Sequence, residues 1–474
     1  MLCDRALWRK RGFCAVARLL RLCYKPVPAS SAITYGLASG TAGGRGGTVP
    51  GMPATVVLGA QWGDEGKGRV TDYFAESSDY VVRYAGGNNA GHTIIVGDQR
   101  IALSLIPSGV LYPACTPVIG SGCVIDPRVL IEEMDMLSSR GIEPGRLRIS
   151  SNAHLIMPYH RKLDSIMERF LGRNQIGTTK RGIGPAYTDK FSRTGIRVQD
   201  LFDPAIFRKK VETALDDKNR ILTRVYNQLA MSAQAISDEY LAFAPRLLPH
   251  VVDSSLLLWE ALADGRSVLL EGAQGTMLDV DHGTYPFVTS SNPTSGGAVV
   301  GAGIGPGSIG EVIGVAKAYI SRVGTGPFPT ELTDETGERL IEVGGEYGTV
   351  TGRKRRCGWL DLVALRYAVR VNGITKLFLT KLDVLSGFDS VKIAVAYQSG
   401  EEMHREFPRQ HRVLYESSPV YETFEGWEED ISSIRRFSDL PAQARNYLEF
   451  VAAQAGVPIG WASVGPERRQ LISL

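Results

Sequence analysis

Residues 54 to 60 read A-T-V-V-L-G-A, and they run without a break into Q-W-G-D-E-G-K-G, residues 61 to 68. The first stretch is apolar and rich in β-branched residues, which suits a strand buried on both faces. The second brackets two acids and a lysine with glycines, and the pattern from Gly66 to Ser77 reads as a helix opening from that loop. Strand, glycine loop and helix in immediate succession is the opening unit of an α/β fold. It sets the loop at the carboxyl edge of a sheet, where open α/β sheets bind their ligands.

The rest of the chain repeats the alternation. Strands are expected at Tyr80–Tyr84, Pro117–Gly120, Ser267–Gly272, Thr375–Lys381 and Val391–Tyr397. Helices fit Pro127–Arg140, Tyr159–Phe170, much of Pro204–Met231, the Ser237–Leu262 region and Trp359–Val371. The expected fold is α/β, with a large, mainly parallel central sheet, surrounding helices and a helical insertion at about 204–264. Chemistry-bearing loops are spread from residue 59 to 465, so residues 53–474 are read as a single domain.

Residues 1–52 stand apart as a leader or disordered extension. Eight Lys and Arg residues there, from Arg5 to Arg45, face one acid, Asp4, and a stretch rich in Ala, Ser, Gly and Thr follows. This composition suits an organelle transit peptide, a disordered tail or an over-extended start equally well. The whole chain carries a net charge of +3, which the leader more than supplies. The body is therefore near neutral, and no broad basic surface argues for nucleic acid. No apolar run reaches the ~20 residues of a membrane span. Three of the six cysteines lie in the leader, and Cys115, Cys123 and Cys357 show no zinc-ligand spacing. A reducing compartment without structural zinc is expected.

Six stretches carry chemistry. The opening loop resembles a phosphate loop, yet Gly66-Lys67 is followed by Gly68 and not by the hydroxyl that ordinarily holds magnesium. Its amides and the helix N-terminus favour phosphate, and Lys67 can reach a phosphate directly. Asp64 is then the available metal oxygen, or a general base for a weakly acidic N–H. In G-G-N-N-A-G-H-T, residues 86 to 93, the amides can read a polar ligand edge, and His92 can serve as an acid or an electrostatic partner for a phosphoryl group. Q-I-G-T-T-K-R-G-I-G-P-A-Y, residues 175 to 187, is either an anion cradle or an ordinary basic surface loop.

E-G-A-Q-G-T, residues 271 to 276, ends an apolar strand and turns Gln274 toward a ligand. The nearby Asp279, Asp281 and His282 have metal-like spacing, but one short stretch does not specify a metal and they are taken as structural. T-V-T-G-R-K-R-R, residues 349 to 356, reads as a mobile loop that closes arginines onto a carboxylate or phosphate. L-T-K-L-D, residues 379 to 383, ends a strand with Asp383, which can accept both the N1–H and the exocyclic amine of guanine, while the Lys381 stem covers the base. With a phosphate loop upstream, GTP is the leading nucleotide.

In this order the motifs resemble the adenylosuccinate synthetase family. They are W-G-D-E-G-K-G from Trp62, G-N-N-A-G-H-T from Gly87, I-G-T-T-K-R-G-I-G-P from Ile176, G-A-Q-G-T from Gly272, G-T-Y-P-F-V-T-S-S from Gly283, R-V-G-T-G-P-F-P-T-E from Arg322, T-G-R-K-R-R-C-G-W-L-D from Thr351 and T-K-L-D from Thr380. The resemblance covers roughly residues 54 to 474. It implies a ligase that joins IMP to L-aspartate with GTP as co-substrate and one Mg2+ per subunit. In it, the residue matching Asp64 takes the N1 proton of IMP, the 6-oxyanion attacks the γ-phosphate, and the residue matching His92 acts as the acid. Lys67 and Gln274 complete the implied catalytic set, and the metal is held by Asp64 and the Gly91 carbonyl.

By the same resemblance IMP touches Asp64, Glu65, Gly66, Lys67, Asn89, Ala90, Gly91, His92, Thr179, Gln274, Thr289 and Arg353. Arg193 reaches the IMP site of a partner subunit, which implies a homodimer. GTP is surrounded by Gly63 to Gly68 (Asp64, Glu65, Gly66 and Lys67 between them), Gly91, His92, Thr93, Arg355, Lys381, Leu382, Asp383, Ser463, Val464 and Gly465. L-aspartate is held by Thr349, Val350, Thr351, Gly352, Arg353, Lys354 and Arg355. Lys354 stands where some members carry arginine, and a lysine does not form the flat bidentate fork. The family implies the cytoplasm, against the mitochondrion or plastid that a transit leader would imply. A GTP-binding switch protein or a nucleotide kinase, the rival readings, would keep the hydroxyl after Lys67.

Overall fold

The computed structural model describes residues 53–89, 91–96, 99–172, 175–348, 352, 354–408 and 410–474, with the backbone alone described between 92 and 100. The expected leader lies outside the described residues. The described residues belong to one compact unit.

At its centre is a ten-stranded sheet. Its strands in chain order are β1 (Ala54–Gly59), β2 (Tyr80–Arg83), β3 (Thr116–Ile119), β4 (Arg148–Ser150), β5 (Val251–Val252), β6 (Val268–Glu271), β7 (Ile309–Lys317), β8 (Lys376–Thr380), β9 (Ile459–Ser463) and β10 (Leu471–Ser473). Across the sheet they run β10-β9-β8-β7-β1-β6-β2-β3-β4-β5. Only β9 and β10 pair antiparallel. The expected mainly parallel α/β sheet is what the chain forms.

Burial explains the apolar continuity of β1. Val56 and Leu58 enter one core with the helices Ser254–Ala263, Ser295–Ala302, Leu362–Asn372 and Ala442–Ala455. Val57, pointing the other way, packs with Val70 and Ala75 of the helix Lys67–Ala75 and with Leu269, Ile313 and Phe378 of neighbouring strands. Both faces are covered, so the strand is apolar apart from the half-buried Thr55 near its start. Because β1 and its neighbours run parallel, the loops after Gly59, Arg83, Glu271, Lys317, Thr380 and Ser463 all leave from one edge.

Three expected helical stretches are refined by the structure. The helix expected over Trp359–Val371 begins at Leu362, because Arg356–Asp361 is a strand of a second, smaller sheet paired with Tyr319–Arg322. Asp361 divides the two by capping the helix, accepting from the Ala364 amide at 3.0 Å. The helix Pro204–Arg220 ends in a π-helical turn, Ile221–Val225, well short of Met231. Between 233 and 263 there are two helices rather than one, with Val251–Val252 between them as the edge strand β5. Pro249 lacks the amide needed to carry the first helix onward. The stretch 204–264 is mostly helical, and its Phe207, Val211 and Tyr240 share a core with Ile119 and Ile149 of the sheet.

The helix Ser295–Ala302 lies backbone-to-backbone on the loops after β2 and β3. Gly122 donates to the Gly301 carbonyl at 3.0 Å, and a Cβ at Gly301 would overlap the Tyr84 carbonyl oxygen. Gly301→Ala should therefore cost about 1–3 kcal/mol of stability through overpacking. Urea unfolding measures it, and an unchanged midpoint would show that this contact is not close.

Candidate active site

The loop after β1 is organised around a carboxylate that faces inward. Glu65 is fully buried. Its Oε1 accepts from the amides of Gln61 at 3.0 Å and Gly63 at 2.9 Å, and its Oε2 pairs with Lys67. A Cβ at Gly59 or Gly275 would stand 2.6 Å from that carboxylate, so both positions must lack one. Gln61, where a common phosphate loop has its first glycine, closes the base of the loop. Its amide group donates to the Lys317 and Tyr319 carbonyls, and its Oε1 accepts from the Lys317 amide at 3.1 Å. Thr380 completes the frame by donating to the Glu65 carbonyl at 2.6 Å.

The helix Lys67–Ala75 starts from Gly66 in the left-handed region, with no side-chain cap. Asp126, Asp203, Asp253, Asp334 and Asp361 do cap helices elsewhere. An uncapped N-terminus next to a glycine loop leaves its amides to an anion. Asp64 has φ 57° and carries its carboxylate outward, 46% exposed, where Oδ2 accepts from Arg355 Nε at 2.8 Å.

The loop after β8 faces this one. The Lys381 amide donates to Ser463 Oγ at 2.9 Å, joining two of the expected GTP stretches. The Lys381 ammonium turns to the Gly344 carbonyl at 2.5 Å and to Glu346 at 2.6 Å. Glu346 also binds Lys317 through both oxygens at 2.7 Å and accepts from Tyr319 OH at 2.5 Å. Burial alone would push the Glu346 carboxyl up; Lys317 and Lys381 outweigh it and hold it at about 2. Asp383 is pushed the other way, above its ordinary value, by burial that Lys381 and Arg69 only partly offset, and its Oδ1 is buried without a partner. Arg69, lowered to about 10 by burial, ties helix Lys67–Ala75 to the carbonyls of Gly465, Glu467 and Gln470.

On the far side of β1, Gln274 also has a positive φ, 57°, and its amide oxygen and nitrogen are both buried without a partner. They lie against Gly86, next to the Asn89 side chain, which itself accepts from the Gly87 amide at 3.1 Å. Asn88 Oδ1 is a third buried oxygen with no partner. The loop 175–182 borders this space. Arg181 donates to the Asn88 carbonyl, while Asp164 and Glu168 pin Gly177, Thr178 and Gly182. Thr179 between them is exposed. Thr289 is fixed through its amide to the Leu278 carbonyl at 2.8 Å.

Most of the sequence-derived set thus collects along one edge of the sheet. The Glu65 side chain is a correction in kind: it braces the loop and has no surface for a ligand. Arg193 stays apart, at the exposed end of helix Ile183–Ser192 with φ 65°. Lys354 pairs with Glu338 on the surface. Ala90, Thr349, Val350, Thr351 and Arg353 lie outside the described residues, as do the side chains of His92 and Thr93. Asp279 is a structural brace, accepting from the amides of Asp281 and His282 and from Thr294. Sequence reasoning missed Glu346 and Lys317. The one available signal was a lysine ending the buried run of β7, which demands an anion close by.

Among the described residues no three His, Cys, Asp or Glu side chains gather as a metal site. The outward carboxylate of Asp64 suits a hard cation that takes its remaining oxygens from phosphate and water, as Mg2+ does.

The profile of the adenylosuccinate synthetase family matches residues 56–472. The adenylosuccinate synthetase of Thermobifida fusca is 58% identical over 423 residues, 89% of this chain and 99% of the relative. That of Streptomyces coelicolor is 56% identical over the same shares. A fully ligated adenylosuccinate synthetase from Plasmodium falciparum superposes with a TM-score of 0.84 at 41% identity, covering 90% of this chain and all of that one. A cyanophage S-2L succinoaminodeoxyadenylate synthetase, at 20% identity and TM-score 0.56, is alike in fold.

The Glu346 cluster sets a pH signature. Its carboxyl is depressed in the fold, so its contribution to stability is complete above the ordinary 4.5 and is lost as pH falls toward 2. The stability gap between wild type and Glu346→Gln should shrink across that window. Denaturant midpoints at a series of pH values measure it; a constant gap would contradict the assignment.

Proposed function

We propose, for a chain that belongs to the adenylosuccinate synthetase family, an assignment of its loops to the family's reaction. That reaction is the GTP-dependent ligation of IMP and L-aspartate, giving adenylosuccinate, GDP and phosphate, the first committed step from IMP to AMP. The observation that carries the assignment is the Gln274 amide, buried and unpaired on both its polar atoms beside Asn89. Buried polar groups are otherwise almost always satisfied, so this one marks a position that a polar ligand completes, and IMP is that ligand.

Asp64 is the base. It accepts the N1 proton of IMP, and the electron pair moves to O6, which attacks the γ-phosphorus as the bond to GDP breaks. His92 is the proton donor on the phosphoryl side. The amine of L-aspartate then attacks C6 and phosphate leaves. Lys67, the loop amides and the helix N-terminus offset the charge that gathers on the phosphoryl group. Thr179 and Thr289 flank IMP, and residues 349–355 receive the carboxylates of L-aspartate. Asp383 takes the guanine edge through the oxygen that has no partner, with Ser463 to Gly465 as the opposite wall. Mg2+ would be held by Asp64 and the Gly91 carbonyl, and when bound it neutralises phosphate oxygens.

Before any of this, Arg355 occupies Asp64. Phosphate oxygens carry more charge than one carboxylate and suit a guanidinium fork better. GTP thus draws Arg355 away and frees the base.

Arg193 completes the IMP site of a second copy, which makes the active unit a homodimer. Its exposed position at a helix end, away from its own chain's site, supports this, and the neighbouring Phe191 is 71% exposed. No helix among the described residues is long and apolar enough to cross a membrane.

Two measurements test the assignment. In an absorbance assay, adenylosuccinate should require IMP, L-aspartate, GTP and magnesium together, and Asp64→Asn should lower the rate about a hundred- to ten-thousand-fold. GTP hydrolysis without adenylosuccinate would contradict it. Asp64→Asn and Arg193→Leu should each be inactive alone, yet regain about a quarter of wild-type activity when mixed and allowed to exchange subunits, since half the dimers then carry one intact site. No recovery on mixing would rule out the shared site.

A further inference from the structure

Glu346 is a heavily bonded side chain at this edge of the sheet that the reaction itself does not use. It is buried, and three groups converge on it: Lys317 at the end of β7, Tyr319 at the start of the next strand, and Lys381 just after β8, the neighbour of β7 in the sheet. Its main chain is engaged as well. The Glu346 amide donates to the Ile341 carbonyl, and its carbonyl accepts from the Arg355 amide at 2.9 Å. Arg355 is the residue whose guanidinium meets Asp64.

We propose that Glu346 is a positioning residue for GTP, holding Lys381 at the guanine wall with its side chain and Arg355 at the phosphate side with its main chain. The inference rests on the reading of the site given above. Lys381 sits in the left-handed region, φ 59°, which a lysine adopts only when its surroundings fix it. Three contacts do so: Ser463 holds its amide, and Glu346 and the Gly344 carbonyl hold its ammonium. Between them the lysine stem has one course, beside the loop that presents the unpaired Asp383 oxygen. Lys317 keeps Glu346 itself from turning, through both carboxylate oxygens and through its own contact with Ser321.

A purely stabilising role fits the composition of the cluster poorly. A carboxylate and two ammoniums taken out of water stabilise a fold less well than apolar side chains of the same volume. What such a cluster supplies is direction, because each hydrogen bond accepts a narrow range of angles. Here the fixed directions lead to the two ends of one nucleotide. Asp383 faces its base, and Arg355 stands where its phosphates displace the contact with Asp64.

The test is isothermal titration with GTP and, separately, with IMP, on wild type, Glu346→Gln and Tyr319→Phe. Glu346→Gln keeps the shape and removes the charge. It should weaken GTP binding about tenfold, the change that about 1.4 kcal/mol produces, and leave IMP binding within about twofold. Tyr319→Phe removes one of the bonds to Glu346 and should shift GTP in the same direction by less. If Glu346→Gln does not fold, Tyr319→Phe alone decides. GTP affinity unchanged in folded variants overturns the inference, as does an equal loss for GTP and IMP, which marks general damage. Titration reads GTP binding whether or not adenylosuccinate forms, so this inference and the reading of the reaction fail separately.

Discussion

The candidate site depends first on a carboxylate that never meets solvent. Glu65 turns into its own loop, takes the amides of Gln61 and Gly63, and pairs with Lys67. An ionised group buried without such partners would be strongly disfavoured. With them, it works as a template for the loop. The amides at the start of the loop are spoken for, Lys67 is held in place, and the uncapped turn beyond Gly66 remains for an anion. Gly59 and Gly275 follow from this, since a side chain at either would displace the carboxylate. So does the Thr380 hydroxyl, which locks the Glu65 carbonyl from the neighbouring strand.

Glu346 applies the same device on the opposite side. There too a buried anion gathers cations, here Lys317 and Lys381, and removes their freedom to wander. Asp64 is the contrast. It is the exposed acid of the three, and its partner Arg355 is one that phosphate can take away. Buried acids fix the frame and the outward acid is left to react. That separation answers why an aspartate belongs in a loop built for phosphate. The frame does not need it, and the missing hydroxyl after Lys67 leaves its oxygen free for proton and metal chemistry.

Much of this was legible in the sequence, and the failures have physical causes. β1, β6 and β8 are short, carry apolar runs (V-V-L, V-L-L and L-F-L) and are followed by glycine or charged loops, so burial on both faces marks them. β7 escaped because I-G-E-V-I-G-V-A-K contains two glycines and a glutamate, although Ile313 and Val315 are fully buried. β4 and β5 are three and two residues long, too short for any periodicity to register. Trp359 to Asp361 looked helical because the helical pattern of the following residues continues upstream through them. Pairing of Trp359 with Tyr319, and of Leu360 and Asp361 with Ile393 and Ala394, not local preference, makes that segment a strand. The positions of the reactive loops were readable from glycine and charge clustering. Glu346 was not, because nothing local links it to Lys317 or Lys381; only the adjacency of β7 and β8 does.

Backbone strain joins these observations. Six residues other than glycine take positive φ among the described residues, and five of them are Asp64, Lys180, Arg193, Gln274 and Lys381. All but Arg193 lie in stretches that residue chemistry singles out, and Arg193 is one that the family resemblance names. Such conformations cost energy and persist only where the surroundings insist on them. At Lys381 the insistence comes from Ser463 and Glu346, and at Asp64 from the Glu65 template one residue on. Gln274 is strained and also has no partner for either end of its amide. A fold of this size could relieve both by a single turn of backbone. The frame around Gly275 prevents that turn, since Gly63 and Glu65 press on it from the β1 loop. The buried Glu65 carboxylate thus touches both halves of the site: it holds the phosphate loop and leaves no room for a side chain next to Gln274.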